Sequence, residues 1–149
     1  MTVFEDASAI VARYASEPGR QQSPRASVVV VSAVSQVEVS SAIWRKQRIG
    51  ELSPDQARVL VDALLAALRS GQSSSAATVT YLPVSVSTDV LDTAVVACGV
   101  HGLRAYDAVQ LASAMRARAA DPSLTQFVTY DVSLHRAAAA EGFSVNPLR

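Results

Sequence analysis

Residues 27–31 (SVVVV) constrain the fold more strongly than any other stretch of the sequence. Four consecutive valines leave no polar position for a face in contact with water, so the run predicts a strand buried on both faces. Strands of this kind occur almost only in parallel sheets that helices cover on both sides. The run therefore indicates an α/β domain.

The rest of the chain alternates between strand and helix patterns. Strands are predicted at residues 2–6, 27–31, 79–84, 126–130 and 143–145, and helices at residues 7–14, 32–47, 53–69, 87–101, 103–119 and 132–141. Residues 17–25 predict a loop, and residues 71–77 a Ser-rich linker that is too short to separate two domains. The alternation predicts one domain over residues 1–149, with a mainly parallel sheet and right-handed crossovers.

Several predicted helix ends carry residues that commonly cap helices. Ser32 and Ser87 are predicted N-caps, and Ser53 begins a Ser-x-x-Gln capping box. Gly102 is predicted to end one helix before the next begins. The apolar faces of the second and third helices are predicted to consist of Val34, Val37, Ile43 and Trp44, and of Val59, Leu60, Ala63, Leu64, Ala67 and Leu68.

The composition is that of a compact globular protein, with 50% hydrophobic and 17% charged residues. Thirteen basic and thirteen acidic residues cancel, which argues against binding of nucleic acid through bulk charge but allows local basic patches. The single Cys98 excludes an internal disulfide, and with only His101 and His135 it cannot form an ordinary structural zinc site. Neither a secretory signal nor an apolar run of membrane-spanning length is apparent, so we expect a cytoplasmic protein without a membrane partner.

Four acidic residues are predicted to meet at one edge of the sheet. Asp6 and Asp131 follow the first and fourth strands, whereas Glu38 and Asp107 lie early in helices that begin at the same edge. Ligands of such sheets bind in the crevice beyond the carboxyl ends of the strands. Each acid also has a structural alternative. Asp6 and Asp131 are placed to cap helices, Asp107 to complement a helix dipole, and Glu38 to be an exposed helical residue.

Crowded carboxylates repel one another unless a cation lies among them or some remain protonated. Oxygen ligands without a thiolate or a histidine cluster favour Mg²⁺ or Mn²⁺. A divalent ion held in this way supports phosphodiester hydrolysis, because it activates water and polarises a phosphoryl oxygen. The glycine-rich nucleotide-binding patterns GxGxxG and Walker A are absent, and no Ser–His–Asp or Cys–His set is apparent.

Several short segments, taken in order, resemble a known family. They are Asp6-Ala7-Ser8-Ala9, Ser32-Ala33 with Val37-Glu38, residues 101–108 (HGLRAYDA), residues 111–114 (LASA) and residues 127–131 (FVTYD). The set resembles PIN-domain ribonucleases, and within them the VapC-type toxins of bacterial toxin–antitoxin pairs. The resemblance covers nearly the whole chain and implies a three-layer α/β/α PIN-like domain with a central sheet of about five strands.

The resemblance also implies roles for particular residues. Asp6, Glu38 and Asp107 would be core metal ligands, and Asp131 a fourth acid that binds directly or through water. Ser8 and Thr129 match positions that support the site by hydrogen bonding. The implied activity is Mg²⁺- or Mn²⁺-dependent endoribonuclease cleavage, often at one tRNA or rRNA site. The implied partners are a VapB-type antitoxin that blocks the site and a second copy of the chain in a homodimer.

Two features depart from the family pattern. Glu5 precedes Asp6 where the family usually has an apolar strand residue, so a fifth acid is expected to perturb either the site or the first strand. The neutral net charge leaves RNA recognition to local arginines. The candidates for RNA contacts are Arg13, Arg45, Arg48 and Arg104.

Other functions are compatible with parts of the pattern. A catalytically silent PIN-like scaffold would keep the fold and act only by binding protein or RNA. A receiver domain would need a mid-chain acceptor Asp and a late Lys, both of which are missing. A haloacid-type phosphatase would need Asp-x-Asp where this chain has Asp6-Ala7-Ser8.

Overall fold

A computed structural model describes residues 1–14, 26–70 and 79–148. The predicted loop at 17–25 and the predicted linker at 71–77 lie outside these residues. The strands are β1 (Thr2–Glu5), β2 (Val28–Ser32), β3 (Thr80–Val84), β4 (Gln126–Val128) and β5 (Ser144–Val145). The helices are α1 (Ala7–Tyr14), α2 (Ser35–Arg48), α3 (Pro54–Ser70), α4 (Thr88–His101), α5 (Ala105–Ala120) and α6 (Val132–Ala140).

The five strands form one sheet in the order β3-β2-β1-β4-β5, and every neighbouring pair is parallel. The predicted α/β class and the number of strands are therefore confirmed. Strand β1 lies in the centre, because Val3 pairs with Val29 of β2 while Phe4 pairs with Phe127 of β4. This central position places Asp6, the residue after β1, at the middle of the edge where the carboxyl ends of the strands meet.

Helices cover both faces of the sheet, as residues buried on both faces require. Val3, Val29 and Val31 point to one face and pack with buried residues of α1, α2 and α3. Phe4 and Phe127 point to the other face, where they pack with α4, α5 and α6 and their ring centroids lie 4.9 Å apart. The molecule thus has the three layers predicted.

Local capping signals are confirmed at three helix ends. The Ser53 hydroxyl accepts from the Gln56 N–H at 3.1 Å, and the Gln56 side chain accepts from the Ser53 N–H at 2.8 Å, which completes the capping box at α3. Ser87 caps α4 by accepting from the Val90 N–H. Gly102 ends α4 with a φ of 64°, a left-handed conformation that glycine adopts without strain.

The prediction that Ser32 caps α2 is wrong. Ser32 is the last residue of β2 and pairs with Val84 of β3, so the strand extends beyond its predicted end. The buried Ser32 hydroxyl instead accepts a 2.9 Å hydrogen bond from the Ser113 hydroxyl on α5. Helix α2 begins at Ser35, and its N-cap residue Val34 has no side chain that can cap.

Two residues predicted on apolar helix faces are exposed. In α2 the buried residues Val39 and Ile43 mark the face that packs into the core. Val37 points away from this face, because residues two positions apart in a helix differ by about 200° around the helix axis. Val59 of α3 is likewise exposed, whereas Leu64 is buried. Val37 borders a surface pocket.

None of the helices in the described ranges is long and apolar enough to cross a bilayer.

Candidate active site

Asp6, Glu38, Asp107 and Asp131 line one open pocket of about 330 Å³ at the carboxyl edge of the sheet. The structure therefore brings together the four acids that were singled out from the sequence. The other lining residues are Ala7, Ser8, Val11, Ala42, Arg45 and Arg104.

Asp6 is buried in this pocket and accepts hydrogen bonds at both carboxylate oxygens. Its Oδ1 accepts from the Ser8 hydroxyl at 2.7 Å and from the Ala9 N–H at 3.0 Å, so the carboxylate also caps α1. Its Oδ2 accepts from the Thr129 hydroxyl at 2.8 Å. Burial nevertheless outweighs these hydrogen bonds and, with a contribution from the nearby Glu38 carboxylate, raises the pKa of Asp6 from 3.8 to about 7.

Ser8 and Thr129 connect Asp6 to the loop after β4. The Ser8 hydroxyl accepts from the Tyr130 N–H at 2.8 Å while it donates to Asp6. The Thr129 hydroxyl accepts from the Asp131 N–H at 3.1 Å while it donates to Asp6. The two hydroxyls thus fix the position of Asp6 relative to the backbone that presents Asp131.

Glu38 is oriented by Gln110, a residue that was not among the predicted site residues. The buried Gln110 amide donates to Glu38 Oε1 at 2.8 Å and to the Ser35 hydroxyl at 2.9 Å. Burial raises the pKa of Glu38, and the nearby Asp107 carboxylate raises it further. The hydrogen bond from Gln110 lowers the pKa in part. The available sequence signal was the i, i+3 spacing of Asp107 and Gln110, which places both on one side of α5.

Asp107 and Asp131 both lie near the guanidinium of Arg104. The guanidinium is 3.6 Å from Asp107 Oδ2 and 3.8 Å from Asp131 Oδ2. Asp131 Oδ1 accepts from the Leu134 N–H at 2.8 Å, so Asp131 is the N-cap of α6 as well as part of the pocket wall. Burial and the Asp131 carboxylate raise the pKa of Asp107, whereas Arg104 lowers it. The Arg104 side chain is 85% exposed, and an ion pair in water at such distances contributes little to stability.

The four arginines predicted to contact RNA occupy different environments. Arg45 and Arg104 line the acidic pocket. Arg48 lies in the last turn of α2 and is exposed. Arg13 forms a two-pronged ion pair with the fully buried Glu5, in which Nε donates to Glu5 Oε2 at 2.7 Å and a terminal nitrogen donates to Oε1. Glu5 is therefore neutralised within the fold and is not a fifth acid of the pocket.

The donor chemistry of the pocket fits a hard divalent cation, since its acids supply only oxygen ligands. The pKa values of Asp6, Glu38 and Asp107 are raised first because each carboxyl group is at least partly removed from water, and second because another carboxylate lies nearby. As placed, no three acidic, histidine or cysteine side chains of residues 1–14, 26–70 and 79–148 lie close enough to hold one ion together. Binding of one ion by three of these acids would therefore require a change in the side-chain conformation of at least one of them.

The raised pKa of Asp6 predicts a pH-dependent stability difference between the protein and its Asp6→Asn variant. Because the folded-state pKa of about 7 exceeds the ordinary value of 3.8, the stabilisation by the protonated carboxyl is lost as pH rises towards 7. Asparagine does not titrate. The free energy of unfolding of Asp6→Asn relative to wild type is therefore expected to increase by roughly 3 kcal/mol between pH 5 and pH 8, at about 1.4 kcal/mol per pKa unit.

Urea unfolding in EDTA at both pH values measures this difference. Asp89→Asn, which removes an exposed first-turn carboxylate of α4, is the matched control and should show no such change. An equal difference in unfolding free energy between Asp6→Asn and wild type at both pH values would contradict the raised pKa of Asp6.

Similar folds occur among proteins of known structure. VapC20 of Mycobacterium tuberculosis, a sarcin–ricin loop cleaving toxin, is 18% identical with a TM-score of 0.60, over 95% of this chain and 96% of that chain. PAE2754 of Pyrobaculum aerophilum is 19% identical with a TM-score of 0.59, over 97% and 89% of the two chains. A chain of a toxin–antitoxin complex from Klebsiella pneumoniae is 15% identical with a TM-score of 0.52, over 87% and 86%. No family model matches the sequence, and no curated protein does.

These similarities define the class of fold. They extend over nearly the whole length of both chains, and they include a VapC toxin and a member of a toxin–antitoxin complex. The chain has the PIN-like α/β fold of VapC toxins, with the all-parallel five-stranded sheet described above. The fold implied by the sequence resemblance is therefore confirmed.

Proposed function

We propose that this protein is a metal-dependent endoribonuclease that acts as a VapC-type toxin. The observation that carries the proposal is the convergence of four carboxylates, from separate elements of the fold, in one open pocket. Asp6 is buried, and Glu38 and Asp107 are partly buried beside other carboxylates, which raises the pKa of all three and is unfavourable for stability. Clusters of acids with raised pKa values are typical of functional sites. The VapC-like fold supports the same assignment.

Asp6, Glu38 and Asp107 would hold Mg²⁺ or Mn²⁺, and Asp131 would bind directly or through water. A divalent ion at this place supplies Lewis-acid polarisation of the phosphodiester and a water molecule of lowered pKa. Ser8 and Thr129 orient the Asp6 carboxylate through hydrogen bonds to its two oxygens. Gln110 orients Glu38 in the same way from α5.

Arg45 and Arg104 lie at the pocket wall, where a guanidinium can bind a phosphate of the RNA backbone. Arg104 also neutralises part of the charge of Asp107 and Asp131, which lowers the barrier to approach of a polyanion. With a net charge of zero, the chain depends on such local cations for RNA binding. A particular tRNA or rRNA site is the substrate that the toxin assignment suggests.

The toxin assignment also implies binding partners and a cellular compartment. We expect a VapB-type antitoxin that covers the acidic pocket, a homodimer of this chain, and action on RNA in the cytoplasm. The similarity to a chain of a toxin–antitoxin complex supports the antitoxin.

Metal removal tests the proposal directly. Cleavage of total bacterial RNA is expected with Mn²⁺ or Mg²⁺ and is expected to fall at least about a hundredfold in EDTA, since the ion supplies several kcal/mol of transition-state stabilisation. Readdition of Mn²⁺ should restore cleavage. Full activity after metal removal would refute the metal-dependent mechanism. The absence of both cleavage and Mn²⁺ binding by calorimetry would favour the alternative, a PIN-like scaffold that acts by binding alone.

A further inference from the structure

A second pocket adjoins the acidic one. It has a volume of about 310 Å³ and is lined by Val37, Glu38, Ser41, Ala42, Arg45 and Tyr106. Glu38, Ala42 and Arg45 line both pockets, so the two form one continuous groove. We call the second one the Tyr106 pocket.

The Tyr106 pocket exposes two large hydrophobic side chains beside the acids. Tyr106 is 57% exposed and directly precedes Asp107, and Val37 is 63% exposed and directly precedes Glu38. The Tyr106 hydroxyl has no hydrogen-bond partner within residues 1–14, 26–70 and 79–148. Neither side chain contributes to the two buried cores of the fold. An exposed aromatic residue without an intramolecular role is a common feature of binding surfaces.

The remaining lining residues add polar groups of a specific kind. Arg45 is exposed and makes no ion pair or hydrogen bond in the described part of the chain, so its guanidinium is available to a phosphate. Ser41 places an exposed hydroxyl in the same pocket, on the helix turn next to Arg45. The pocket thus combines an aromatic ring, apolar side chains, a hydroxyl group and a cation. This combination matches a nucleotide, because the base can stack on the ring and the anionic phosphate can bind the cation.

We propose that the Tyr106 pocket binds an unpaired nucleobase of the substrate RNA, which stacks on Tyr106 against Val37 while Arg45 binds an adjoining phosphate. The inference rests on the proposed nuclease function, because the base belongs to a nucleotide next to the phosphodiester in the acidic pocket. Aromatic stacking requires a base that is not in a helix, so the substrate is single-stranded at this point. Stacking tolerates all four bases, so the pocket favours unpaired RNA more than a particular sequence.

Binding of a single-stranded RNA tests the proposal. The probe is a fluorescein-labelled 12-nucleotide RNA of mixed sequence, and the protein carries Asp107→Asn so that the probe stays intact. Adding Tyr106→Ala is expected to weaken binding by about 5- to 100-fold, the range found when a stacking aromatic residue is removed. Tyr106→Phe, which keeps the ring, should bind within about twofold of its parent. Val95→Ala, which shortens an exposed side chain of α4 outside both pockets, is the control for loss of surface hydrophobicity.

A set of probes with one abasic nucleotide at successive positions identifies the stacked base. At that position the abasic probe and Tyr106→Ala should each weaken binding, and their combination should weaken it no further, because both remove the same contact. If the losses of binding caused by the abasic nucleotide and by Tyr106→Ala add up at every position, direct stacking of a base on Tyr106 is overturned. Equal losses for Tyr106→Phe and Tyr106→Ala would also overturn it, since the ring would then not be the binding group.

Cleavage by variants with intact Asp107 separates this proposal from the nuclease assignment. If wild type and Tyr106→Ala cut and bind RNA equally well, the nuclease assignment stands and the nucleobase site is refuted. If RNA binding depends on Tyr106 but no metal supports cleavage, the nucleobase site stands and the nuclease assignment fails. If Tyr106→Ala weakens only the binding of a purified antitoxin, the pocket belongs to a protein partner and the proposal is overturned.

Discussion

Replacement of Asp107 by asparagine is expected to reduce RNA cleavage at least about a thousandfold, a loss of roughly 4 kcal/mol in transition-state stabilisation. Asp107 lines the acidic pocket, its carboxylate raises the pKa of Glu38, and the Asp131 carboxylate raises the pKa of Asp107. Asparagine has the same size but no charge to contribute to a cation site. The fold is expected to remain intact, because removal of a half-buried anion with a raised pKa relieves repulsion.

The measurement compares cleavage rates of wild type and Asp107→Asn in Mn²⁺, with unfolding curves of both proteins. Asp89→Asn is the matched control, because Asp89 is also an aspartate in the first turn of a helix but lies outside the pocket. Retention of more than a tenth of the wild-type rate by Asp107→Asn would contradict its role as a ligand. An equal loss in Asp89→Asn would point to a general effect of removing a first-turn charge.

Replacement of Arg13 by methionine is expected to destabilise the protein by about 3–5 kcal/mol. Glu5 is fully buried in the central strand, and its side chain is paired with Arg13. Without the guanidinium, the Glu5 carboxylate would be left buried without its counter-charge or would have to take up a proton. Either outcome lowers the free energy of unfolding. The loss is larger than that expected from breaking an exposed ion pair, which contributes little to stability.

Urea unfolding at pH 7 measures this loss. The double variant Glu5→Met with Arg13→Met is the control, because removal of both charges should recover most of the stability. If Arg13→Met unfolds with the same urea midpoint as wild type, the ion pair contributes nothing to stability. The double variant also tests the prediction that Arg13 contacts RNA. A contact of Arg13 with RNA would make the stable double variant bind RNA more weakly than wild type.

Much of the fold follows from local sequence patterns. The buried valine run predicts a strand of a parallel sheet, and the alternation of strands and helices predicts the layered α/β class. The capping box at Ser53, the N-cap Ser87 and the terminating Gly102 mark helix ends, because each acts on a backbone group within three residues of itself. Such short-range interactions depend little on the rest of the chain.

The candidate site was predictable in part. The four acids were recognisable because strand ends and helix starts of a parallel sheet share one edge. The support of Glu38 by Gln110, which is 72 positions away, was not predicted, although Ser8 and Thr129 were expected to support the site. Val37 was predicted to lie on the buried face of its helix and is exposed instead. An apolar side chain does not by itself show which face of a helix packs into the core.

Local sequence patterns were sufficient to predict the main helices and strands, the fold class and the acidic residues available for chemistry. Three features depend on packing between elements: the strand order, the pairing of Glu5 with Arg13, and the pocket that Tyr106 of α5 forms with residues of α2. The physical reason is the range of the interactions. Propensity, capping and periodicity act within one element, whereas burial and side-chain pairing depend on packing between elements, such as the 123-position separation of Asp6 and Thr129.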